Sequence, residues 1–61
     1  SATTMRANVG EFVTAAYLRF FNRQPTEFEV WKMKDMIDRN PDITPQLVYY
    51  SMMTSEEYRY Y

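Results

Sequence analysis

Neither cysteine nor histidine occurs in this 61-residue chain, and that absence constrains its folding more than any residue it contains. A domain of this size buries only about 60% of the surface its unfolded chain exposes. Chains near that limit are usually held by disulfides or a structural metal. Without thiol or imidazole, neither a crosslink nor an ordinary zinc or haem site can be built. What remains is a dense core or a partner. Hydrophobic residues make up 46% of the chain and aromatics 18%, so a packed core is within reach and disorder is not the expectation.

One glycine and three prolines punctuate the sequence, and each proline falls where a helix should start or stop. Asn8 with Glu11 reads as a weak capping box, in which a short side chain and a carboxylate three residues on satisfy the unpaired donors of a first helical turn. A helix over about 9–22 follows, with Val9, Phe12, Val13, Ala16, Tyr17, Phe20 and Phe21 on one stripe and Glu11, Arg19 and Asn22 opposite. Pro25 turns the chain out of that helix. Thr26 and Glu29 then form a full capping box for a second helix over about 27–39, whose apolar face is Val30, Met33, Met36 and Ile37. Asn40-Pro41 stops it, with Asn40 expected in the left-handed cap conformation. Thr44 as cap and Pro45 at the first helical position start a third helix, to about 53, with Ile43 and Val48 placed as a hydrophobic staple. Thr54 with Glu57 announces a last short helix over about 55–60. Residues 1–7 carry no helix signal and read as a flexible lead-in. The expected fold is a single all-α domain, a compact bundle of three main helices plus a short C-terminal helical turn.

Little here supports chemistry. Asp35 and Asp38 lie one turn apart and the glutamates cluster at helix starts, where they favour the positive end of the helix dipole. Ser51 and Ser55 have no histidine base, Gly10 alone cannot make a phosphate loop, and no cofactor or metal is expected. Seven basic and eight acidic residues are interleaved at a net charge of −1, so no basic stripe marks a nucleic-acid face. No apolar run nears the roughly 18 residues that would cross a membrane. An enzyme is therefore not expected.

The features left over are aromatic. Phe28 and Trp31 point away from the Val30–Met33–Ile37 stripe. They are expected to pack as a second face; the alternative is an interface anchor, a role in which tryptophan is enriched. The third helix is apolar on both sides, with Leu47, Val48, Ser51 and Met52 on one face and Tyr49, Tyr50 and Met53 on the other. With Tyr58, Tyr60 and Tyr61 the C-terminal third is rich in tyrosine and methionine, types enriched at interfaces. Tyr49, Tyr50, Met53, Tyr58, Tyr60, Tyr61, Phe28 and Trp31 are the candidate partner-binding residues.

Two resemblances accompany these residues. Ile43-Thr44, an apolar helix and then Ser55-Glu56-Glu57-Tyr58-Arg59 resemble the closing segment of phycobilisome linker-polypeptide domains, helical modules that join pigment-protein discs. That resemblance implies a slight rotation of the third helix, with Val48, Tyr49 and Met52 inside and Tyr50 and Met53 outward. Tyr17-Leu18-Arg19-Phe20-Phe21-Asn22-Arg23-Gln24-Pro25-Thr26 with Glu29 is similar to a signature of short helical repeats in secreted bacterial proteins, also met near extracytoplasmic cytochromes. Both imply a non-enzymatic module for assembly. The expected function is a scaffold, linker or accessory subunit that docks on a protein partner, with room for a homo-oligomer. The alternative is a helix-turn-helix nucleic-acid binder, which the lack of lysine and arginine between Pro45 and Met53 opposes.

Overall fold

A computed structural model describes residues 2–59, and among them it contains helices and no strand. Five helices follow one another: α1 (Ala2–Ala7), α2 (Val9–Phe21), α3 (Glu27–Arg39), α4 (Pro45–Met53) and α5 (Glu56–Arg59). The caps set these boundaries. Asn8 accepts from the Glu11 N–H at 3.2 Å and opens α2. At Thr26 the box is reciprocal: the Glu29 N–H donates to Thr26 Oγ1 at 3.1 Å, and the Thr26 N–H donates to Glu29 Oε1 at 2.8 Å. Thr44 accepts from the Leu47 N–H at 3.2 Å, and Pro45 stands in the first turn of α4, where no backbone donor is needed.

Three features depart from expectation, each for a local physical reason. Residues 2–7 are helical rather than flexible, because α1 has two anchors. Met5 is fully buried, and the Arg6 guanidinium donates to the carbonyls of Ile37, Asn40 and Ile43 at 2.7, 2.9 and 2.8 Å. Those oxygens belong to the end of α3 and the turn after it, where helical carbonyls lack intrahelical partners. The left-handed cap is at Asn22 (φ 55°) and not at Asn40, which is extended at φ −127°. With Arg6 and its own side chain, which donates to the Met36 carbonyl at 2.7 Å, Asn40 closes α3 without reversing hand. Finally, Ser55 and not Thr54 caps α5. The Thr54 hydroxyl is already donated back to the carbonyls of Tyr50 and Ser51, while Ser55 Oγ accepts from the Tyr58 N–H at 3.3 Å.

The core is a single cluster of Met5, Val9, Val13, Ala16, Phe20, Phe21, Ile37, Val48 and Met52. Five of these nine lie on α2, so α2 is the central element and the others pack around it. Half-buried Phe12, Tyr17, Val30, Met33, Ile43 and Tyr49 close the rim. The Cα radius of gyration, 10.9 Å, is near the roughly 10.5 Å expected of a fully collapsed chain this long.

Candidate interaction surface

Successive helical residues turn by about 100°, so burying one stripe dictates what faces water. On α3 the buried residue is Ile37, flanked by half-buried Val30 and Met33. Phe28 and Trp31 fall on the opposite side and are 64% and 62% exposed, which corrects the expectation that they pack. No element lies over that side of α3 to receive them. Their rings stack on each other instead, with centroids 6.1 Å apart and an interplanar angle of 30°, and Lys32 Nζ lies 6.0 Å from the Phe28 centroid. Beside them Lys34 pairs with Asp38 at 2.6 Å and Arg39 with Asp35 at 3.1 Å, so the two aspartates are tied up in one-turn ion pairs.

On α4 the rotation implied by the linker resemblance is the one observed. Val48 and Met52 are buried and Tyr49 is half-buried, packing its ring between Phe12 (5.6 Å) and Phe20 (5.5 Å). Tyr49 is therefore a core-rim residue and not an outward one. Tyr50 at 64% and Met53 at 45% are exposed as expected, and Leu47 joins them at 54%, although the sequence places it on one face with the buried Val48 and Met52. Leu47 precedes the buried stripe by one position, which turns it away from α2. Tyr58 is partly exposed and rests edge-on against Phe20 at 5.8 Å. Tyr60 and Tyr61 lie outside the described residues.

Met36 links the two helices' exposed faces. It borders an open cleft of about 370 Å³ together with Tyr17, Phe28, Glu29, Lys32 and Met33. It also borders a smaller one of about 200 Å³ with Ile43, Leu47, Val48 and Ser51. Phe28, Met36 and Leu47 thus mark an apolar band running from the start of α3 to the outer side of α4. Met36 and Leu47 were not among the sequence candidates. Each sits one step from a fully buried neighbour, and only the packing geometry decides which of two adjacent apolar residues turns in.

The electrostatic centre is Arg23. It binds Glu29 through two N–H···O bonds of 2.9 Å and Glu57 through bonds of 2.8 and 2.9 Å. The Arg23 bonds, with help from the Thr26 N–H, lower the Glu29 carboxyl to about 2 and raise the guanidinium further above its ordinary range. The same bonds lower Glu57. Burial, then the Glu29 charge, raise the Tyr17 phenol. This cluster ties α5 to the α2–α3 turn. Among the described residues no group of acidic, histidine or cysteine side chains could hold a metal ion. No helix of the described chain is long and apolar enough to cross a membrane.

Compared with protein families, curated proteins and solved structures, the chain gives no match in any of the three.

Proposed function

We propose that this domain is a non-catalytic helical docking module, a scaffold, linker or accessory subunit, that binds a protein partner through the exposed band on α3 and α4. The observation that carries this reading is the stacked Phe28–Trp31 pair left in water. Exposing two such rings forgoes roughly 3–5 kcal/mol of burial, comparable to everything a core this small supplies. Tyr50, Met53, Leu47 and Met36 extend the same surface, and aromatic and methionine side chains are the types on which interfaces concentrate their binding energy. The linker-like and secreted-repeat-like segments point to the same use. The helix-turn-helix alternative has no observation in its favour, since α4 offers phosphates no lysine or arginine.

The test is a paired Phe28→Ser and Trp31→Ser variant beside a paired Tyr50→Ser and Met53→Ser variant. Both should keep the helical circular dichroism spectrum, and both should lose association in pull-downs from the native source. Normal assembly by both folded variants would refute the proposal.

A further inference from the structure

The outer side of α3 is aromatic at its start and charged along both edges. Phe28, Trp31, Asp35 and Asp38 follow one line at three- and four-residue spacing. Glu27 and Lys34 flank that line on one edge, Lys32 and Arg39 on the other. No element covers this side, and Phe28 and Trp31 stack on each other in water. Its charges cancel, with Glu27, Asp35 and Asp38 against Lys32, Lys34 and Arg39. A face without net charge is poorly matched to a phosphate backbone, an anionic membrane or a strongly charged protein. It suits a surface that also sets both signs around exposed rings, and α3 is itself such a surface.

Turning a second α3 antiparallel about a two-fold axis brings the matching groups together. In a two-fold contact, if one residue meets a second, the second meets the first. Setting Phe28 against the second copy's Trp31 therefore sets Trp31 against the second copy's Phe28, and four rings form one cluster. In that register Glu27 and the second copy's Lys34 share an edge, within about 3 Å along the axis at a rise of 1.5 Å per residue. The symmetry repeats this pair, so two ion pairs accompany the rings. Glu27 is exposed and makes no ion pair among the described side chains. Lys34 is bonded to Asp38 at 2.6 Å, but an ammonium has three donors and can take a second carboxylate. Asp35 and Asp38 fall opposite the segment that precedes the other α3, beyond the paired turns, and stay in water. The two Lys32 side chains on the other edge oppose the contact. They stand about 7 Å apart along the axis and are exposed, so screening weakens their repulsion.

We infer that the outer side of α3 docks α3 of a second copy of this chain, antiparallel, as a transient homodimer. This names the occupant of the α3 docking surface and rests on that reading. The paired segment is only about two helical turns, far below a standard interface, so the dimer forms and parts readily.

The test is sedimentation velocity from about 10 µM to about 1 mM, the range suited to contacts below standard size. Trp31 is the only tryptophan, so its emission should move to shorter wavelength as the dimer forms. Glu27→Lys and Lys34→Glu should each weaken dimerisation roughly tenfold, because symmetry turns one reversal into two like-charge pairs. The double variant Glu27→Lys with Lys34→Glu should dimerise as the parent does, since both pairs return with their signs exchanged. Circular dichroism checks that each variant stays helical. A parent chain that remains monomeric throughout this range overturns the inference, whatever the variants do. So does a dimer that leaves Trp31 emission unmoved, or a folded double variant that dimerises no better than the single ones. If the chain is monomeric but the paired Phe28→Ser and Trp31→Ser variant still loses its partner from the native source, the α3 surface stands with a different occupant. If that variant keeps its partner too, the α3 part of the docking reading falls as well.

Discussion

Arg23 meets three elements at one guanidinium, and its bonds make acid the weak side of this fold. The Glu29 carboxyl falls from its ordinary 4.5 to about 2 in the folded chain. A carboxyl lowered on folding contributes stability that is complete above its unfolded value and lost as pH falls toward its folded one. The denaturant midpoint should therefore drop between about pH 4.5 and pH 2, and Glu29→Gln should flatten part of that slope. Removing Glu57 alone should change little, since its carboxylate is exposed and water screens such a pair. Arg6 is the opposite case. Its three acceptors are backbone carbonyls, two of the bonds are part-buried, and Arg6→Ala leaves all three oxygens without this donor. The expected cost is about 2 kcal/mol by urea denaturation, in the range of hydrogen bonds to charged groups. Arg6→Lys should recover only a fraction, because an ammonium cannot span three divergent carbonyls as a fork does.

Among the elements, α3 and α4 were readable from sequence to the residue, since a capping box and a threonine–proline start are local chemistry. Thr26→Ala should cost about 1 kcal/mol, whereas Thr54→Ala should cost little, because Thr54 closes α4 from its end and is not the N-cap of α5. Helix α1 was not readable. It has no acidic first turn, and the partners that hold it are thirty-one to thirty-seven positions away at Ile37, Asn40 and Ile43. No periodicity within residues 1–7 encodes such contacts. Met5 tests this element directly. Met5→Ala should lose about 2–5 kcal/mol, which in so small a domain shows as partial unfolding at room temperature by circular dichroism. The site was legible in kind but not in detail. The tyrosine- and methionine-rich end marked an interface-like composition, and Tyr50 and Met53 face water. Trp31, Met36 and Leu47 depend on which sides of α3 and α4 the neighbouring helices leave uncovered.

At the scale of the whole molecule, one layer of helices around α2 has no room for a second interior, and this is why the sole tryptophan remains outside. Trp31 emission should accordingly shift little when the chain unfolds in denaturant and move to shorter wavelength only when a partner covers it. Unfolding must then be followed by circular dichroism. Two arginines hold the ends of this layer to its middle, from Arg6 to Ile43 and from Arg23 to Glu57, and these two spans overlap. The Arg6 grip also straddles a break in the chain path: Ile37 and Asn40 lie before the exposed Pro41-Asp42 turn and Ile43 after it. A protease that cut this turn would leave both new fragments bonded to the same guanidinium. The piece bearing α1 to α3 and the piece bearing α4 and α5 should then co-elute as one noncovalent complex, and should bind each other more weakly once Arg6 is replaced by alanine. The turn between α3 and α4 is thus a natural place to divide the polypeptide into two self-complementing halves.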